Sequence, residues 1–180
     1  DFVYEEINEF TSESFVPLTI GGGIKRLDQI RKLLLAGADK VCINSNAYSE
    51  PELIKKAAGT FGVQCIIISV DVKRNKGFYE CFSHSGTKAT GKEVVKHCQE
   101  MESLGAGELL ITSIPHDGMM EGYDYELIKL VSSSVSIPVI ASGGAGNYDD
   151  MLKAVNSGAN AVAAASIFHY TEQTPREAKK

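Results

Sequence analysis

The sequence repeats itself without a gap. Pro17-Leu18-Thr19-Ile20-Gly21-Gly22-Gly23-Ile24 returns as Pro138-Val139-Ile140-Ala141-Ser142-Gly143-Gly144-Ala145. At the same offset of 121 residues, Asp28 meets Asp149, Lys32 meets Lys153, Gly37-Ala38 meets Gly158-Ala159, and Asn44-Ser45 meets Ala165-Ser166. That offset covers four strand–helix units of about 30 residues each, half of an eight-unit barrel of about 250 residues. Few folds accommodate such a half-repeat, and the parallel (β/α)8 TIM barrel is the one expected here.

The apolar pattern between the repeats agrees. Six short, β-branched runs lie at Val16 to Ile20, Lys40 to Asn44, Cys65 to Val72, Leu109 to Ser113, Pro138 to Ala141 and Ala161 to Ser166. Nearly continuous hydrophobicity over so few residues is how strands covered on both faces read. Helical spacing separates them: Ile30, Leu33 and Leu34; Leu53, Ile54 and Ala57; Val94, Val95, Cys98 and Met101; Leu127, Leu130 and Val131; Met151, Leu152 and Val155. Residues 1 to 14 read as a further helix with Phe2, Ile7 and Phe10 apolar. Strict alternation implies parallel strands. A doubly wound open sheet is the alternative architecture, disfavoured by the gapless repeat. Phe78 to Phe82, between Gly77 and Ser85-Gly86, reads as a small hairpin after the third strand.

Residues 1–180 therefore read as one barrel domain lacking roughly its first two strands, about sixty residues. The chain opens on Asp-Phe-Val-Tyr without an initiator Met or a basic leader, as a piece of something longer would.

A formal net charge of −5 gives no basic field for nucleic acid or membrane surfaces. No run of about 18 apolar residues is present to span a bilayer. Cys42, Cys65, Cys81 and Cys98 form no C-x-x-C pair, so a reducing, cytoplasmic compartment and no disulfide framework are expected.

Each half offers a glycine turn after one strand and a small-plus-hydroxyl tip after the next: Gly22-Gly23 with Asn44-Ser45, and Gly143-Gly144 with Ala165-Ser166. Absent side chains let backbone N–H groups approach a phosphate. One Gly-Gly could be a mere turn, but two at matched spacing point to a ligand with two phosphates. Asp71 closes an apolar strand, where a carboxylate faces the mouth of a barrel and suits acid/base work. It reads equally as a partner of Lys73 or Arg74. Asp117 in Thr112-Ser113-Ile114-Pro115-His116-Asp117-Gly118 is a second candidate carboxylate, or a simple Asp-Gly turn. His84 and His116 fall in mouth loops, with no spacing that supports a metal site. Asp39, Lys40 and Glu108 are charges at strand starts, on the opposite face.

As a set, Pro17 to Ile24, Asp39 to Asn44, Asp71-Val72-Lys73-Arg74, Gly105 to Glu108, Gly122-Tyr123-Asp124, Ala141 to Gly146 and Ala164 to Phe168 resemble the cyclase subunit of imidazole glycerol phosphate synthase, the HisF family. The resemblance implies a lyase of histidine biosynthesis with no cofactor. A glutaminase partner at the bottom of the barrel supplies ammonia. At the mouth, ammonia meets a biphosphorylated aminoimidazole carboxamide ribonucleotide, which yields imidazole glycerol phosphate and an aminoimidazole carboxamide ribotide. By position, Asp71 resembles one of two catalytic aspartates, the other lying on the first strand. Ser85, Thr112 and Asp117 look like substrate contacts. Gly23, Asn44 and Ser45 resemble one phosphate site, and Gly118, Gly144, Ala145, Ala165 and Ser166 the other. Lys40 and Glu108 resemble ammonia-gate charges, and Asp39 an anchor for the glutaminase. Pro115-His116 stands where the family usually has Asp-Arg, and Met119 where a Thr usually follows. Three other functions fit parts of the pattern: a HisF-like subunit delivering ammonia for amidination of a surface sugar, a related phosphate-binding sugar isomerase, and a non-catalytic scaffold that only docks a glutaminase.

Overall fold

The computed structural model describes residues 4–179. The chain divides into two compact units: residues through Ser69 together with Glu100–Glu108, and Val70–Gln99 together with Leu109 onward.

In the first unit, α1 (Tyr4–Glu13) is followed by β1 (Thr19–Gly21), α2 (Leu27–Leu35), β2 (Lys40–Ile43), α3 (Ser45–Ser49), α4 (Glu52–Phe61) and the opening residues of β3 (Ile66–Asn75). β1, β2 and β3 pair in parallel, with Thr19 opposite Lys40 and Val41 opposite Ile66. Helix α2 buries Ile30 and Leu33, one turn apart, while Arg31 faces solvent. Helix α4 buries Leu53, Ile54 and Ala57. Each large aliphatic side chain removed from water this way contributes about 1.5–3 kcal/mol. Phe2, expected on the first helix, lies outside the described residues; Phe10 on that helix is exposed.

In the second unit, the rest of β3 leads to β4 (Phe78–Ser83), β5 (Lys88–Glu93) and α5 (Val94–Ser103), whose residues from Glu100 belong to the first unit, as does the opening Glu108 of β6 (Glu108–Ser113); α6 (Tyr125–Ser132), β7 (Val139–Ser142), α7 (Tyr148–Asn156), β8 (Ala161–Ala163) and α8 (Ser166–Tyr170) follow. β3, β6, β7 and β8 are neighbours in that order. β6 and β7 run parallel with Leu109 opposite Val139, and β7 and β8 with Ile140 opposite Ala161. Among the described residues, strands β1–β3 and β6–β8 alternate with helices as in a partial (β/α) barrel, and the chain is shorter than a full one.

The repeat is carried through to the element boundaries. Adding 121 to the limits of α2 gives those of α7, and adding it to α3 gives α8. The strand starts match in detail. Asp39 Oδ2 accepts from the Leu18 N–H at 2.7 Å, and Asn160 Oδ1 accepts from the Val139 N–H at 2.9 Å. Both pairs of positions are repeat mates.

Two expectations change. β3 does not stop near Asp71 but runs on to Asn75, and it pairs antiparallel with β4, Asp71 opposite Phe82. The expected hairpin is thus part of a three-stranded excursion, β3–β4–β5. Lys76 and Gly77, both at positive φ, close the β3–β4 turn in the geometry a right-handed strand twist favours. Glu80 anchors the excursion from within: its buried carboxylate accepts from Gly91 N at 2.8 Å and from Asn75 Nδ2 at 2.5 Å. Secondly, Leu130, Leu152 and Val155 are exposed. The buried stripes are narrower than their apolar pattern: Leu127, Ile128 and Val131 on α6, and Asp150, Met151 and Ala154 on α7.

Candidate functional site

The first glycine loop follows β1. Gly22 and Gly23 have φ of +97° and +68°, and an added Cβ at either would meet open space. Glycine is required there by backbone conformation rather than by crowding. Gln29, one turn into α2, holds the end of the loop: its Oε1 accepts from Lys25 N at 2.8 Å and Arg26 N at 3.0 Å. At the tip of β2, Asn44 precedes Ser45, the first residue of α3. Asn44 Oδ1 is buried without a hydrogen-bond partner. An orphaned acceptor of this kind costs about 1–3 kcal/mol, which a ligand donor would recover.

The second loop follows β7 and is built more tightly. Gly143 and Gly144 have φ of +86° and +117°. Gly122 N donates to Gly144 O at 2.8 Å, and a Cβ on Gly144 would strike the Gly122 carbonyl. Likewise a Cβ on Gly146 would strike the Met120 carbonyl. The β7–α7 and β6–α6 loops therefore interlock through bare backbone. Between them lies a cavity of about 150 Å³, lined by Asp117, Gly118, Met120, Ser142 to Ala145, and Ala163 to Ser166. Every residue expected at the second phosphate site, Gly118, Gly144, Ala145, Ala165 and Ser166, is in that lining, and Asp117 joins them. The lining holds no lysine or arginine, so an anion there depends on N–H and hydroxyl donors. Tyr123 holds one lining residue from behind: its buried hydroxyl donates to Ala163 O at 3.0 Å, and burial pushes the phenol up to about 12.

Asp71 sits on β3 and is partly buried. Ile114 N, just past β6, donates to Val72 O at 2.9 Å, so Asp71 and Thr112 lie on neighbouring strands. Ser85 occupies the β4–β5 turn at φ +56°. A Cβ on the next residue, Gly86, would lie 3.2 Å from Ile114 Cδ1, which brings that turn to the exit of β6. Both loop histidines are held at Nδ1 by a buried serine: His84 by Ser83 at 2.9 Å and His116 by Ser113 at 2.8 Å. Among the described residues, no three His, Cys, Asp or Glu side chains cluster as a metal site requires.

At the starts of β2 and β6, Lys40 and Glu108 form a half-buried ion pair. Asp39 beside them spends one carboxylate oxygen on the Leu18 N–H. Its repeat mate Asn160 does the same work with an uncharged side chain.

Sequence reasoning missed four contributors to the second loop: Ser142, Met120, Asp150 and Gln173. Asp150 had a signal, because Asn147-x-x-Asp150 is a capping box before an apolar stripe. Gln173 had none, since its contact crosses 27 residues.

Residues 3–174 match the family model for the histidine biosynthesis protein. The chain belongs to this family. Its members are enzymes of histidine biosynthesis, isomerases and cyclases on a (β/α) barrel, and the strand order and repeat described above are of that kind. Among the described residues no helix is long and apolar enough to cross a membrane.

Proposed function

We propose that the chain is the cyclase of imidazole glycerol phosphate synthase. In this reading, ammonia from a partner glutaminase cyclises a biphosphorylated aminoimidazole carboxamide ribonucleotide, and cleavage releases imidazole glycerol phosphate and the ribotide. The observation that carries it is the repeated glycine loop, two sites of one design for a substrate with two phosphates. Gly23, Asn44 and Ser45 hold one phosphate. Gly118, Gly144, Ala145, Ala165 and Ser166 hold the other. Asp71 moves protons as a general acid/base, and Thr112, Ser85 and Asp117 contact and orient the substrate at the mouth. The Lys40–Glu108 pair gates ammonia, and Asp39 faces the glutaminase with its remaining oxygen. That paired charge favours an ammonia-using member over a sugar isomerase, which has no need of it.

A second reading has its own support. Pro115-His116 and Met119 alter the loop beside the second cavity, and the Ser113–His116 contact fixes that alteration in place. These changes weaken the fit to the cyclase, and the Asp71-Val72-Lys73-Arg74-Asn75 and His84-Ser85-Gly86-Thr87 segments lean toward a paralogue that delivers ammonia for amidination of a surface sugar. Turnover of the biphosphorylated ribonucleotide with ammonium salts decides between them. The cyclase reading predicts imidazole glycerol phosphate as product. Saturable binding of glutaminase with no such turnover would transfer support to the paralogue.

A further inference from the structure

Gly146, the last residue of the second loop, is gripped from both sides. Its N–H donates to Asp150 Oδ2 at 3.1 Å, within the α7 capping box. Its carbonyl accepts from Gln173 Nε2 at 3.2 Å. Gln173 belongs to the segment after α8, and that segment is itself tied down. The Tyr148 hydroxyl accepts from Thr174 N at 2.9 Å and bonds Glu177 Oε2 at 3.0 Å. Ala178 packs against the core cluster that includes Ala145 and Ile167. The first half holds the matching carbonyl differently: Lys25 O accepts from Asn46 Nδ2 at 3.4 Å, and Glu52, the repeat mate of Gln173, has no side-chain N–H to give. Both halves thus restrain this peptide, with unrelated side chains.

The geometry points to Gln173 as a positioning residue for the second phosphate loop, acting through the Gly146 peptide on the N–H groups of Gly144 and Ala145, two residues of the cavity lining. This rests on the second loop being a phosphate site, as proposed above. With no lysine or arginine in the lining, affinity depends on how well those N–H groups are aimed, and a peptide free to rock aims them poorly. The second loop is therefore preorganised by the segment that follows the last helix, whereas the first is not.

Gln173→Met keeps the side-chain volume and removes the donor. Inorganic phosphate titrated into the intact protein, followed by amide chemical shifts, reports each loop separately. The variant is expected to weaken the phosphate response at Gly144 about five-fold, the worth of about one hydrogen bond. The response at Gly23 should stay unchanged and the melting temperature should fall by no more than about 2–4 °C, the loss of one hydrogen bond, which a general loss of structure would exceed. Restoring a donor with Gln173→His should recover part of the affinity at Gly144. An unchanged response at Gly144 in Gln173→Met, beside a normal one in the unsubstituted protein, overturns the inference alone. No phosphate response at Gly144 in the unsubstituted protein overturns both the inference and the phosphate reading beneath it.

Discussion

Lys40 and Glu108, the first residues of β2 and β6, are joined in a half-buried ion pair although 68 residues separate them in the chain. Removing one partner strands the other, so Lys40→Met and Glu108→Gln should each cost about 1–2 kcal/mol in urea denaturation. The double variant should cost less than the sum of the two. If the pair gates ammonia, glutamine-driven turnover falls more in Lys40→Met than turnover driven by added ammonium. Equal losses in both assays would reduce the pair to a structural role.

Asp71 is the carboxylate on which the proposed chemistry depends. Asp71→Asn keeps the shape and removes the proton acceptor, so turnover should fall about 100-fold or more. KM should change little, because the phosphate loops carry the binding. Retention of more than a tenth of the rate would assign the acid/base role elsewhere, and the scaffold reading predicts no effect at all.

Asn44 separates stability from function. Its Oδ1 is buried with nothing to accept from. Asn44→Ala removes an unsatisfied acceptor, so the ligand-free protein should be as stable as before or gain up to about 1 kcal/mol. Phosphate affinity at the first loop should drop in the same variant. A clear loss of stability would mean that Asn44 is a structural residue.

Much of this architecture was legible because it is periodic. The offset between Pro17 and Pro138 gave the half-barrel, and the limits of α2 and α7 keep that offset to the residue. Part of the lining of the second cavity was legible for the same reason: Gly144, Ala165 and Ser166 stand at matched spacing, whereas Gly118 and Ala145 were expected only from the family resemblance. What escaped was set by long-range contact. Nothing around Asp71 signals that β3 continues to Asn75, because that extension is stabilised by pairing with β4 and by Glu80 reaching Gly91. Leu152 and Val155 misled because an apolar residue on the flank of a helical stripe cannot be told from one in its centre without knowing what packs there. Asp39 was read for its charge, and the match with Asn160 shows that part of its work is uncharged.

Tyr123 gives the protein an alkaline limit. Burial, and then the Asp150 charge, push its phenol up to about 12 from 10.0. A folded-state value above the unfolded one means that its stabilisation is complete below the unfolded value. It is lost as pH rises through the folded one, between about 10 and 12. Tyr123→Phe should cost about 1 kcal/mol at neutral pH through the lost bond to Ala163 O, and it should flatten the fall in stability over that alkaline window. Denaturation curves at stepped pH test this, and an equally steep fall in the variant would contradict it.

On the proposed function, the protein uses one phosphate-site design twice. Isothermal titration of the protein with inorganic phosphate counts those sites directly. Two phosphates per chain are predicted, with Ser45→Ala weakening one site and Ser166→Ala weakening the other. A single site, or two sites that respond alike to both substitutions, would contradict it.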